Sequence, residues 1–455
     1  MLEYKGFESW EDMDLSKFDD LREQFASFEY RDFEVERKGN AYHVTFRYGI
    51  PGLCDFAPKW EFPIQIPQVD EGLLNRLFFH LGMVETISYY KCTCPKIVDV
   101  QCGSLSKEQC RWWQKLYYNG LGEFMYRNGI EVSREELMEI RCKEEDRKPW
   151  HDEHTYEGCL LPIGGGKDSV VSLELLKGEK ITTYSVNGNQ TTQDVIDVCD
   201  YKAGDYKVKR TLDAGMLELN KKGYLNGHIP FSAVVAFSTV IAAYLSGNRY
   251  IVLSNETSAN ETTVKDSFVN HQYSKSFEFE QDFTWYFQTL TDSDIHYFSF
   301  LRPLTELQIA WLFSRCKAYH KAFRSCNAGS KQGIWCCSCP KCLFVYIILT
   351  PFLSERELID IFGENLLDKE ALEKDFRELT GLEENKPFEC VGTRKEVLAS
   401  LKYFVKKGGS SLLTDKYKEK ISAEGADVEN MLQEWVEENN VPPAYQKILK
   451  NYMKV

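Results

Sequence analysis

One run in the chain reads as a cradle for an anion: Gly164-Gly165-Gly166-Lys167-Asp168-Ser169. It follows the apolar stretch 160–163 and opens a segment with helical spacing. Val170, Val171, Leu173, Leu175 and Leu176 form the apolar face of that segment, and Gly178 stops it. Three glycines let a backbone approach an anion without Cβ clashes. The free N–H groups of a helix start, together with its dipole, hold phosphate. Lys167 adds a mobile positive charge and Ser169 a hydroxyl, while Asp168 suits such a site as a ligand of Mg²⁺ bridging phosphates. The spacing is neither that of a Walker A loop nor that of a Rossmann fingerprint. A glycine triplet alone can be an ordinary tight turn. The Lys-Asp-Ser that follows, and the alternation of strands and helices around it, weigh for the cradle.

Cysteines make the second constellation. Cys326, Cys336, Cys339 and Cys342 include two overlapping Cys-x-x-Cys steps, and a turn of that length aims two sulfurs at one point. Four thiolates build a closed tetrahedral zinc site of structural type. The competing reading is a set of reduced cysteines packed beneath a helix over 343–349, and Cys337 reads as a bystander. Of the fifteen cysteines, Cys54, Cys142, Cys159, Cys199 and Cys390 stand singly and read as reduced, buried thiols. An odd total argues against a complete disulfide framework.

Three polar segments, 225–230, 253–260 and 269–276, crowd Asn226, His228, Asn255, Glu256, Asn270, His271, Gln272 and Lys275 into about fifty residues. Each lies near the end of an expected element, where ligands bind in open α/β sheets. Taken singly, each residue reads as a turn or cap residue; their density is what points to a site.

These residues must be positioned by an α/β unit over 155–350. Strands at 160–163, 181–186, 206–212 and 250–254 alternate with helices, the longest over 230–245, as in a parallel sheet flanked by helices. Before it, an α+β region over 1–150 is expected. It holds a hairpin around Lys38-Gly39-Asn40, an edge strand over 60–66 because of Pro63, helices over 71–86 and 107–126, and a linker at 143–153. After it, 351–455 reads as a helical appendage without chemistry of its own. The amino terminus has neither a basic start nor an apolar run, and the longest apolar stretch, 231–245, is too short to span a bilayer; a cytoplasmic protein is expected. A net charge of −14 disfavours nucleic acid and favours a small-molecule substrate, although 202–210 is locally basic. Neither a membrane nor a nucleic-acid partner is expected, and oligomeric state is left open.

The glycine run resembles the PP-loop of N-type ATP pyrophosphatases (Ser-Gly-Gly-x-Asp-Ser), with Gly164 where that pattern has its first serine. That resemblance implies cleavage of ATP to AMP and pyrophosphate with Mg²⁺, a HUP-like fold, and one hydroxyl missing or supplied from elsewhere. The cysteine set is similar to the four-cysteine zinc motif of cyano-deazaguanine synthases. A longer likeness joins Ser88-Tyr-Tyr-Lys91, the glycine loop, Leu225-Asn-Gly-His-Ile-Pro230, Ser254-Asn-Glu-Thr-Ser258, Val269-Asn-His-Gln-Tyr-Ser-Lys-Ser276 and Trp335-Cys-Cys-Ser-Cys-Pro-Lys-Cys-Leu-Phe344. Over about 60–350 these resemble the MurL-type family, UDP-N-acetyl-α-D-muramoyl-L-alanyl-L-glutamate epimerases of peptidoglycan precursor synthesis. The resemblance implies ATP-dependent inversion of a terminal L-glutamate through an acyl-adenylate. Gly164–Gly166, Lys167 and Ser169 would hold phosphates, and Asp168 would hold Mg²⁺. His271 and Lys275, then Glu256, would transfer protons, and His228 would steady the enolate or bind substrate. Lys91, Asn226, Asn255, Asn270 and Gln272 would bind substrate. The rival readings are a PP-loop enzyme of tRNA or deazaguanine modification and a non-catalytic nucleotide sensor with a zinc knuckle.

Overall fold

The computed structural model describes residues 16–423, 425 and 427–453; the amino terminus, read above as lacking a secretory signal, lies outside them. The first half supplies strands β1 (Ser27–Lys38), β2 (Ala41–Ile50), β3 (Cys54–Phe56), β4 (Lys59–Pro63), β5 (Ile97–Leu105) and β6 (Glu139–Glu144). The second supplies β7 (Cys159–Pro162), β8 (Ile181–Val186), β9 (Gly204–Thr211), β10 (Tyr250–Leu253) and β11 (His296–Ser299). All join one sheet in the order β11-β10-β7-β8-β9-β4-β2-β1-β5-β6, with β3 beside β2. From β11 to β9 every pairing is parallel.

The hairpin forms as expected, β1 pairing with β2 up to Lys38 opposite Ala41, with Gly39 at φ +59° in the turn. The edge position expected for 60–66 does not hold. β4 lies between β2 and β9 and joins the two halves of the sheet. Pro63 is tolerated because only Lys59, Trp60 and Glu61 pair with β9, so the missing N–H falls beyond that ladder.

Strand β7 is buried on both faces, as a central parallel strand must be. Leu160 belongs to one core, shared with the helices Glu71–Glu85 and Phe231–Ser246. Leu161 and Ile163 belong to the other, shared with the helices Lys167–Leu175 and Pro340–Leu349. The helix Phe231–Ser246 is apolar nearly all round because it is packed between sheet and helix, and Gly247 ends it at φ +73°.

The single helix expected over 107–126 is two, Lys107–Gly120 and Gly122–Arg127. At the break, a Cβ on Gly120 would stand 2.6 Å from the Pro230 ring. The stretch 143–153 is tied to the body: the Trp150 indole donates to Asp70 at 2.9 Å and its backbone N–H to Leu290 at 2.9 Å. The C-terminal helices Glu355–Phe362, Glu373–Thr380 and Arg394–Lys406 pack around Pro340–Leu349, and Tyr445 reaches back to Cys159 on β7, oxygen to sulfur 2.9 Å. No helix among the described residues is long and apolar enough to cross a membrane.

Candidate active site

The glycine loop leaves the C-terminal end of β7 and starts the helix Lys167–Leu175. Gly165 sits at φ +85°, and a Cβ there would meet Thr191 Cγ2 at 2.7 Å. A Cβ on Gly166 would meet the Ser325 hydroxyl at 2.8 Å, whereas one on Gly164 would meet nothing within 4 Å. Two glycines are therefore demanded by the fold, and the third leaves an open face. Ser325 accepts from the Lys167 N–H at 3.2 Å and so brings a hydroxyl to the loop from a distant segment. Arg324 donates its backbone N–H to Gly165 at 2.9 Å, and its buried Nε has no partner among the described residues. Ser169 Oγ is turned back onto the Gly166 carbonyl at 3.0 Å.

Lys167 is not mobile. Its side chain is 2% exposed and its ammonium pairs with Asp168 and with Glu306, at the start of the helix Glu306–Ser314. Burial opposes its charge, but Asp168, Glu306 and Glu256 together hold the lysine above its usual value. Burial likewise pushes the Glu306 carboxyl well up, against the pull of Lys167, and its backbone N–H donates to Glu396 at 2.7 Å. Two acidic side chains thus pair with one buried cation, Asp168, about a third exposed, being the more open, and Glu256 acts on it from further off.

A second cluster joins this one through Glu256 and Lys275. Wholly buried Arg302 donates to the backbone carbonyls of both and so fixes their two segments. Lys275 Nζ donates to Cys390 Sγ at 3.0 Å, and its charge is also favoured by Glu256 and Asp168. His271 binds Glu123, on the helix Gly122–Arg127, through Nδ1. His228 Nδ1 is 3.6 Å from the same carboxylate, and the two imidazole centroids are 4.4 Å apart. Burial works against a charged His271, yet Cys390 and Glu123 outweigh it and push the ring up to about 9. Burial and the charge of His271 push His228 down to about 4. One imidazole is charged at neutral pH and its neighbour is not.

The remaining residues singled out in the sequence are placed as follows. Lys91 donates to Asn226 and, at 2.9 Å, to the Gly227 carbonyl, which brings the first half of the chain beside His228. Asn255 donates to Ser299 at 3.0 Å, across the ends of β10 and β11. Asn270 spends its amide inside its own loop, donating to Ala259 at 2.9 Å and accepting from the Gln272 N–H at 2.7 Å. Gln272 is buried with its side-chain oxygen unpartnered among the described residues. Within the basic stretch 202–210, Arg210 is turned inward onto Glu85 at 2.8 Å.

Cys326, Cys336, Cys339 and Cys342 have their sulfurs all within 4.8 Å of one another, a donor set that fits tetrahedral zinc. Cys337 points elsewhere, to the Phe362 carbonyl at 3.2 Å. Of the residues at the site, Glu123, Arg302, Glu306, Arg324, Ser325, Cys390 and Glu396 escaped the sequence reading. Arg302 and Glu306 follow β11, so recognising that strand would have exposed them by the strand-end rule. Ser325 stands next to the first cysteine of the cluster. Glu123 and Cys390 carry no local signal, and Cys390 and Glu396, within the stretch 351–455 read above as a helical appendage, contact Lys275 and Glu306.

Two family models cover the chain, the MurL N-terminal domain over residues 19–300 and the MurL C-terminal domain over 315–428. A protein of Xanthomonas oryzae pv. oryzae, named UDP-N-acetyl-alpha-D-muramoyl-L-alanyl-L-glutamate epimerase, is 36% identical over 70% of this chain and 71% of its own. Relatives of the same name come from Salinispora tropica (33% identical; 75% of this chain, 76% of theirs) and a Micromonospora species (34%; 72% and 74%). No solved structure matches the chain significantly. With loop, paired histidines and four cysteines all inside the matched ranges, the chain belongs to the MurL family.

Proposed function

We propose that the protein inverts the terminal L-glutamate of UDP-N-acetylmuramoyl-L-alanyl-L-glutamate to D-glutamate, spending ATP as AMP and pyrophosphate. The observation that carries the ATP half is Gly164: an open, side-chain-free position at a helix start whose two neighbouring glycines are closed by packing. The relatives' printed name supports the substrate.

The α-proton of a carboxylate is hard to remove, because the product carries added charge on an anion. Adenylating that carboxylate makes it a neutral acyl group, and the carbanion becomes an enolate that fixed cations stabilise. The loop N–H groups, Ser325 and Arg324 would face phosphates, and Asp168 would hold Mg²⁺, which supplies charge neutralisation on the leaving pyrophosphate. Charged Lys275 and His271 are groups that give protons; neutral His228 is one that takes them, with Glu256 as a further acceptor. The cysteine set would hold a structural zinc. Phosphorus NMR of a reaction with ATP, Mg²⁺ and the dipeptide nucleotide tests the nucleotide chemistry. AMP and pyrophosphate are expected; ADP and phosphate would discard the adenylation.

A further inference from the structure

Cys390 lies in the connection between the helices Glu373–Thr380 and Arg394–Lys406, 115 residues along the chain from Lys275, which it meets. Lys275 donates to its sulfur at 3.0 Å, and the charges of the sulfur and of His271 favour one another. Nδ1 of His271 is held by Glu123, so distant segments bring a thiol with a lysine on its sulfur together with an imidazole fixed by a carboxylate. A thiol with a cation on its sulfur, and an imidazole, held by a carboxylate, whose charge acts on that sulfur, are parts of an activated nucleophile. Lys341 is a second cation acting on the sulfur. Cys390 is half-buried as a residue, and the buried oxygen of Gln272, next to His271 in the chain, lacks a partner among the described residues.

The surroundings set this sulfur apart from buried Cys92. At Cys92 burial dominates and the thiol is pushed up to about 11. Burial acts on Cys390 too, but Lys275, Lys341 and His271 reverse it and hold the thiol well below its usual range. The charge of Lys275 answers both to this sulfur and to Asp168 at the start of the loop helix.

We infer that the sulfur of Cys390 takes the activated carboxyl group from the adenylate as a thioester, so that the α-carbon is inverted while bound covalently to the enzyme. The inference rests on the adenylation proposed above. A substrate carboxylate oxygen attacks the α-phosphorus of ATP, and pyrophosphate leaves. The thiolate of Cys390 attacks the acyl carbon; the bond from that carbon to the AMP oxygen breaks, and AMP leaves with the electron pair. The α C–H bond then gives its proton to a basic group and its electrons to the thioester enolate, and a proton returns to the opposite face. Water finally adds to the acyl carbon, the carbon–sulfur bond breaks, and the thiolate is restored. The sum is one ATP and one water consumed, with AMP, pyrophosphate and the inverted peptide formed. Thioester formation removes the sulfur's charge, one of the two partners that keep His271 protonated. The imidazole then binds its proton less tightly and can serve the hydrolytic water as base. A thioester keeps the α-proton acidic while the nucleotide departs, so the cycle has time for C–H cleavage before hydrolysis.

The experiment is a single turnover of the full-length protein with ATP, Mg²⁺ and the dipeptide nucleotide carrying radiolabelled glutamate, quenched in acid and followed by intact mass and peptide mapping. The expected result is a hydroxylamine-labile adduct on Cys390. Cys390→Ala is expected to lack it, to lose D-glutamate formation about a hundredfold or more, and still to exchange pyrophosphate into ATP when the dipeptide is present. That retained exchange reports a folded site. Wild-type protein that forms AMP and D-glutamate with no label on Cys390, or a Cys390→Ala variant as fast as wild type, overturns the thioester. D-glutamate formed without AMP overturns the adenylation instead, and removes the thioester's acyl donor with it.

Discussion

At the scale of single residues, charge placement carries the account. Among the described residues Lys167 is the cation in direct contact with both Asp168 and Glu306, and removing one partner of a buried ion pair costs about 3–5 kcal/mol because the other charge stays buried. Lys167→Ala is therefore expected to abolish AMP formation and also to lower the denaturation midpoint. Adding Glu306→Gln should recover part of the stability but none of the activity, by denaturant titration and AMP assay. An active Lys167→Ala enzyme would remove the lysine from the phosphate site. The histidine pair makes a different claim. His271 is raised from 6.5 to about 9, so its contribution to stability is complete below pH 6.5 and is lost as pH rises through 9. His228 is lowered to about 4, so the unfolded ring takes a proton that the folded one refuses, and stability falls as pH drops from 6.5 towards 4. The charged and titratable groups around the pair are Glu123, Arg127, Lys275, Lys341, Glu389 and Cys390. His271→Gln is expected to remove the alkaline loss of stability and to release AMP without inverting glutamate. An unchanged alkaline limb would show that the ring carries no raised pKa.

At the scale of elements, the loop separates what packing demands from what a ligand demands. Gly165→Ala puts a Cβ at φ +85° and 2.7 Å from Thr191, and is expected to cost about 1–2 kcal/mol. Gly164→Ala meets nothing within 4 Å, so thermal stability should be unchanged while KM for ATP rises; an unaltered KM would mean the open face is not where nucleotide sits. The loop was legible in the sequence because strand, glycines and helix are contiguous, and so was the cysteine set, whose two steps are local. Metal analysis of the purified protein is expected to find about one zinc per chain, and chelation to lower Tm; full stability without metal would return these cysteines to ordinary packing. The placement of β4 was not legible, since Pro63 signals an edge and only the offset of the β9 ladder removes the conflict.

At the scale of the whole molecule, one sheet runs through both halves, and the site is closed by pieces from everywhere. Glu123 comes from the first half, the loop and histidines from the middle, and Cys390 and Glu396 from the last hundred residues. Sequence periodicity located β7 to β10 and the helix Phe231–Ser246, but not β11 or the helices Ala214–Lys221, Phe277–Leu290 and Glu306–Ser314, and it could not show which distant side chains face one another. Glu123 and Cys390 are ordinary residues until tertiary structure sets Glu123 on His271 and Cys390 on Lys275. The most direct test of the central claim is the chirality of glutamate after turnover: incubate the protein with UDP-N-acetylmuramoyl-L-alanyl-L-glutamate and Mg²⁺, with and without ATP, then hydrolyse the product and resolve its glutamate. The account predicts D-glutamate only with ATP, accompanied by AMP. D-glutamate formed equally without ATP, or AMP formed with the glutamate wholly L, would contradict it.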